Sequence, residues 1–126
     1  LLAEGGGLEI AMMAGVFLGA VKEEMPVVLD GAISCVAALA AYRIDCRVTD
    51  YLLPSHMSGE GTGAMALSAL GLQAPVRAGM RLGEGTGALT LFPLLSMVME
   101  VYERMGTFTD YEIRSYERFQ EEIPEA

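Results

Sequence analysis

A chain of 126 residues with 52% apolar side chains has the size and composition of one folded domain with a buried core. Its formal net charge of −9 argues against a nucleic-acid partner, because no basic stripe exists to neutralise phosphates. No apolar run reaches the roughly 18 uninterrupted residues of a membrane-spanning helix, and no basic start followed by an apolar core marks a secretory signal.

The chain opens on Leu1 rather than Met, in what reads as a loop entering a helix, so a segment of a longer polypeptide is expected. Residues 8–21 carry apolar positions at helical spacing after the flexible Gly5-Gly6-Gly7, and Lys22-Glu23-Glu24 forms a polar end. Pro26-Val27-Val28-Leu29 reads as a short buried strand ending in Asp30-Gly31. Residues 32–42, AISCVAALAAY, follow at once as a helix that is apolar almost all round, and such a helix wants protein on every side. Helix, strand and helix thus alternate without a hairpin signal. This predicts an α/β fold with a mostly parallel sheet.

Tyr51-Leu52-Leu53 is a second, weaker strand, leading through Pro54-Ser55-His56-Met57-Ser58 into a glycine-rich loop. Residues 63–70 form a short helix closed by Gly71. The chain is extended again at 79–82, and a long helix over 88–105 contains Pro93, which should bend it or mark a late start. Its first half, 88–98, is as apolar as residues 32–42. The end carries six carboxylates and two arginines from Gly106 onward, with Tyr111, Tyr116 and Phe119 able to line one side of a helix, and disorder is expected beyond Ile123. The organisation expected is therefore one α/β unit over 1–105 and an acidic helix or tail over 106–126.

Cys35 and Cys46 are too few and too isolated for a structural zinc site, and they point to a reducing compartment, the cytoplasm. No metal is called for.

The hexapeptide GEGTGA stands twice, at 59–64 and at 83–88. Each copy fits G-x-G-x-x-A, a form of the dinucleotide fingerprint, but no second strand with a terminal acid follows, and neither copy has the Gly-Lys-Ser/Thr of a P-loop. What remains is a carboxylate flanked by glycines just before a helix, with backbone N–H groups free to meet an anion. Glu84 follows an apolar stretch and precedes an apolar helix, so it is expected to be semi-buried, with a raised pKa suited to a general base. Glu60 reads as a solvated loop acid. The sole histidine, His56, reads first as structural and only second as a substrate contact. Met80 could touch an aromatic ligand. Asp30, at the carboxyl end of a strand, either faces a ligand or enters the following helix as its cap.

The segments GGLEIA at 6–11, VVLDG at 27–31, YLLPSHMS at 51–58 and MRLGEGTGA at 80–88 occur in this order. Together they resemble the C-terminal portion of the nicotinate-nucleotide dimethylbenzimidazole phosphoribosyltransferase (CobT) family, over about residues 5–105. The resemblance implies a Rossmann-like three-layer α/β fold, a homodimer, and completion by an N-terminal segment of the same fold that holds much of the base pocket. It implies transfer of the ribose phosphate of nicotinate mononucleotide to 5,6-dimethylbenzimidazole or a related base. The products are nicotinate and the α-ribazole phosphate used for the cobalamin lower loop. It places the catalytic glutamate at Glu84, the flat base beside Leu82 and Gly83, a further substrate contact at Gly85, and the phosphate near Ser58 and Gly59, with no cofactor. Alone, the 126-residue chain is then expected to be inactive. The alternative is a non-catalytic module that binds a nucleotide or base, or docks on another α/β chain through its apolar helices.

Overall fold

The computed structural model describes residues 7–81 and 83–112. Two compact units divide the chain, Leu1–Leu95 and Ser96–Ala126. The first opens with α1, Leu8–Lys22, followed by β1, Val27–Leu29, and α2, Ala32–Tyr42. A 3₁₀ turn at Cys46–Tyr51 leads into β2, Leu52–Pro54, then α3, Gly61–Leu70, and the start of α4, Thr86–Arg104. The helices expected at 8–21, 32–42, 63–70 and 88–105 and the two strands after Pro26 and Tyr51 are present to within a few residues, and the fold is α/β with parallel strands.

β1 and β2 pair in parallel, with Val27 opposite Leu52, Val28 opposite Leu53 and Leu29 opposite Pro54. A parallel bridge between His56 and Val76 continues the pairing beyond β2. It is held by Met57 N–H to the Val76 carbonyl at 2.8 Å and by Val76 N–H to the Ser55 carbonyl at 3.3 Å. Parallel neighbours need a crossover connection, and α2 with the 3₁₀ turn supplies it between β1 and β2.

The apolarity of α2 is buried on much of the helix but not all round, since Ile33 is 59% exposed. Ala37, Ala38 and Ala41 have no exposed surface, and together with Cys35 they join Ala14 and Phe17 of α1, Leu29 of β1, Val48 and Leu52, and Ala66, Leu67 and Leu70 of α3 in one core. Alanine at three consecutive contact positions leaves no bulk to hold neighbours apart, so two helices can lie close on either side of α2. Burial pushes the Cys35 thiol up from its ordinary 9.0 to about 11, with the nearby Asp30 charge adding to the shift and a Ser34 hydrogen bond opposing it. Gly71 ends α3 in the left-handed conformation, φ +70°, while Leu72 N–H reaches back to the Leu67 carbonyl at 3.0 Å. The 3₁₀ turn, which no periodic pattern announces, is capped by Asp45. Its carboxylate accepts from the Arg47 backbone at 3.0 Å and pairs with the Arg47 guanidinium at 2.7 Å, which holds it below the usual carboxylate range.

The apolar start of α4 departs from expectation. Only Gly87 and Leu91 of this helix are buried, while Leu89 is 66% and Phe92 51% exposed. The helix runs through Pro93, which lacks the N–H that would bond the carbonyl four residues back. In the second unit, Met97, Val98 and Val101 are likewise exposed, and Glu100 pairs with Arg104 at 2.9 Å. The turn after it is tied by Asp110, whose carboxylate accepts from the Thr107 backbone at 2.6 Å and hydroxyl at 2.8 Å. The expected aromatic positions Tyr116 and Phe119 and the end beyond Ile123 lie outside the described residues.

Candidate active site

The carboxyl ends of β1 and β2 open onto a cleft of about 560 Å³. Parallel sheets place ligands there, and the volume suits a small-molecule site. Asp30 and Gly31 after β1, His56 and Ser58 after β2, Glu60 before α3, and Met80, Arg81, Gly83, Glu84 and Gly85 before α4 all line it. The two glycine loops, 24 residues apart in sequence, therefore face one cavity. Of the residues expected at the site, Glu84, Asp30, Ser58, Gly83 and Gly85 line this cleft, Gly59 sits between two lining residues, and Leu82 lies outside the described residues.

The same six letters adopt two backbones. In the first copy Glu60 is extended, φ −94° and ψ 129°, and the helix begins at Gly61. In the second, Glu84 is left-handed at φ +62°, Gly85 follows at φ +82°, and the helix begins one motif position later, at Thr86. A left-handed conformation costs a non-glycine residue about 1–2 kcal/mol. That cost is outweighed by Asp30. Its Oδ2 accepts the Gly85 N–H at 3.1 Å and its Oδ1 the Ala88 N–H at 3.0 Å. Hydrogen bonds to a charged acceptor contribute about 1.5–3 kcal/mol each, so the pair exceeds the strain.

Gly85 cannot cap α4 with a side chain. Asp30 delivers the missing acceptor from the end of another strand, satisfying the donors at the cap and third helical positions that a capping box would satisfy locally. It does not cap the helix that follows it, α2, whose cap residue is Gly31. Because a carboxylate already occupies these two amides, this helix end is not the open anion site that the dinucleotide fingerprint needs.

His56 is 3% exposed and closes the other side of the loop. A Cβ on Gly87 would collide with its ring and lie 2.8 Å from Asp30 Oδ1, so only glycine lets α4 come this close. The Ser55 hydroxyl donates to the Asp30 carbonyl at 3.1 Å and lies 3.1 Å from His56 Nδ1. Its single hydrogen being used, both bonds hold together when Nδ1 carries the imidazole proton and donates to Ser55 Oγ. The structural reading of His56 thus has a defined partner, and the residue also borders the cleft.

On the opposite wall, Gly59 N–H donates to the Met80 carbonyl at 2.8 Å, so this amide is not free for a phosphate. A Cβ on Gly59 would stand 2.8 Å from Arg81 Cγ. The Ser58 hydroxyl accepts the Glu60 N–H at 3.2 Å, which leaves its own hydrogen available to an anion. Glu84 is exposed at the cleft rim rather than semi-buried. Leu89 and Phe92 of the apolar helix behind it, whose composition suggested burial, are themselves exposed. Sequence reasoning did not single out Arg81 or Glu9. Among the described residues, Arg81 is the one Lys or Arg that lines the cleft, and its only signal was adjacency to the second loop.

A phosphoribosyltransferase family model matches residues 1–113. The chain belongs to the nicotinate-nucleotide dimethylbenzimidazole phosphoribosyltransferase family. A phosphoribosyltransferase of that name from Yersinia enterocolitica is 44% identical over 113 residues, which is 90% of this chain and 32% of the relative. Another, from Acetivibrio thermocellus, is 42% identical over 112 residues, 89% of this chain and 32% of the relative. The crystal structure of the Thermus thermophilus phosphoribosyltransferase of this family superimposes with a TM-score of 0.82 at 35% identity, covering 91% of this chain and 34% of that one. The chain therefore spans about a third of the length of these phosphoribosyltransferases.

Proposed function

We propose that this chain carries the proton-accepting side of a phosphoribosyl-transfer site, acting on nicotinate mononucleotide and 5,6-dimethylbenzimidazole or a related base. The observation that carries the reading is Glu84, a carboxylate between two glycines, held left-handed at the rim of a cleft at the carboxyl ends of parallel strands. As one imidazole nitrogen of the base attacks the anomeric carbon, positive charge grows on its ring. Glu84 takes the proton from the other nitrogen and relieves that charge. The bond from the anomeric carbon to the nicotinate nitrogen breaks, and its electron pair neutralises the cationic pyridinium, so the leaving group departs neutral at nitrogen. The products are nicotinate and an α-ribazole phosphate.

In this reading Leu82 and Gly83 border the flat base, Gly85 is a further substrate contact, and the free hydrogen of the Ser58 hydroxyl meets the phosphate beside Gly59. The site is completed by a further segment of the fold, in a cytoplasmic homodimer, and the 126-residue chain alone is inactive. The test is Glu84→Gln in this chain completed by the remaining segment of the T. thermophilus relative. Transfer should fall by about 10²–10⁴-fold, the usual contribution of a positioned base, while the nicotinate nucleotide still binds. Turnover at the parent rate refutes the assignment.

A further inference from the structure

We infer that Asp30 is a positioning residue for Glu84. By accepting the Gly85 and Ala88 amides it fixes the left-handed loop that presents the Glu84 carboxylate at the cleft. This rests on the proton-accepting role proposed above.

The chain contains its own control. Both copies of GEGTGA have the same letters and the same local hydrogen-bonding capacity, and both precede a helix. Among the described residues, no side chain accepts from Gly61 or Ala64, the first-copy counterparts of Gly85 and Ala88. There the glutamate stays extended and is itself the cap residue. In the second copy a carboxylate from 55 and 58 residues earlier takes both amides, and there the glutamate is left-handed. The two copies thus differ in the acceptors that lie outside the hexapeptide, Ser58 on the Glu60 N–H in the first and Asp30 on the Gly85 and Ala88 N–H groups in the second, and the hexapeptide alone does not set the glutamate's conformation.

The acceptor is itself anchored. Leu29 at the end of β1 accepts the Ser55 N–H at 3.1 Å, and the Ser55 hydroxyl holds the Asp30 carbonyl, so the Asp30 backbone cannot follow the loop if the loop shifts. His56 fills the space beside Gly87 and blocks movement of the helix start toward the sheet. Asp30 therefore fixes the glutamate through the backbone, with both carboxylate oxygens committed to amides.

The test uses the completed enzyme described above, with Asp30→Asn, Asp30→Glu, Glu84→Gln and the Asp30→Asn/Glu84→Gln pair. A misplaced catalytic group costs up to about 100-fold. Asp30→Asn should accordingly lower kcat roughly 10–100-fold and leave KM for nucleotide and base within about twofold. It should add no further loss in the Glu84→Gln background. Asp30→Glu, which keeps the charge, should recover part of kcat.

A raised KM with kcat preserved would mean that Asp30 touches substrate, and it overturns the inference. So do losses that multiply with Glu84→Gln, or an unchanged kcat. If Glu84→Gln itself retains full turnover, the proposed function fails. The amide proton resonances of Gly85 and Ala88 in the 126-residue chain then decide the Asp30 contact separately. They should both move upfield in Asp30→Asn, and no movement refutes the contact.

Discussion

Replacing Gly87 with alanine adds one methyl group where α4 comes close against His56 and Asp30. The new Cβ would meet the His56 ring, which is 3% exposed and tethered to Ser55, and it would stand 2.8 Å from Asp30 Oδ1. Neither neighbour is the free end of a flexible chain. Overpacking of this kind costs about 1–3 kcal/mol. Alanine returns at most about 1 kcal/mol of helix propensity over glycine. If α4 lifts to make room, at least one of the Asp30 bonds lengthens, at about 1.5–3 kcal/mol each. The net expectation is a loss of about 2–4 kcal/mol. Gly63→Ala is the matched control, because Gly63 holds the same place in the other copy. Its added Cβ would lie 3.1 Å from Ser58 Cβ and 3.4 Å from Ala32 Cα, contacts that a few tenths of an ångström relieve. That variant should stay within about 1 kcal/mol of the parent. Thermal unfolding followed by circular dichroism reads the difference, at roughly 4 °C per kcal/mol for a chain of this size. Adding His56→Ala should restore part of the loss in Gly87→Ala and none in Gly63→Ala. Melting temperatures for the two alanine variants within about 2 °C of each other would refute the close-approach reasoning.

Glu84→Gly removes the left-handed strain of about 1–2 kcal/mol but loosens the unfolded chain by a comparable amount, so stability should hold or rise slightly while transfer by the completed enzyme is lost. Instability of that variant argues that Glu84 is structural. For the cysteines, a thiol reagent near neutral pH should modify exposed Cys46 and spare buried Cys35 until the chain is unfolded, when two thiols react. Because the Cys35 pKa is raised from 9.0 to about 11 by burial, the folded state holds its proton more tightly than the unfolded state does. That stabilisation is complete below pH 9 and is lost as pH rises through about 11, by on the order of 2 kcal/mol. Denaturant midpoints that stay flat over that window, relative to Cys35→Ala, would contradict the burial effect.

The helices were legible where composition and punctuation agreed. Residues 32–42 run from glycine to a charged arginine, and the helix has those ends. Residues 27–29 stand between proline and aspartate, and the strand fills that interval. The 3₁₀ turn at Cys46–Tyr51 was hidden because six residues carry no periodic signal, and only Asp45 hinted at a start. Glu84 could be picked out from its glycines and the apolar helix behind it, but its exposure could not, since burial depends on what covers a helix and not on the helix's own letters. The least visible feature was Asp30. A strand-end acid reads equally well as a ligand contact or as a local cap, and nothing near it in sequence says that its partners lie 55 and 58 residues away. Likewise Arg81 and Gly59 look unrelated until the pairing of residues 55–59 with 76–80 brings them together.

The contact between His56 and Gly87 also constrains how this chain can change over time. A side chain at 87 and a ring at 56 compete for one volume, so a drift to alanine at 87 becomes tolerable only after the ring has shrunk. A smaller residue at 56, in turn, leaves a void that the wild-type glycine cannot fill. Neither single step is neutral, and the order of the two steps matters. The pair should therefore behave as one unit of inheritance, passed on intact or exchanged together, whereas Gly63, the counterpart in the other copy, meets no ring and can change alone.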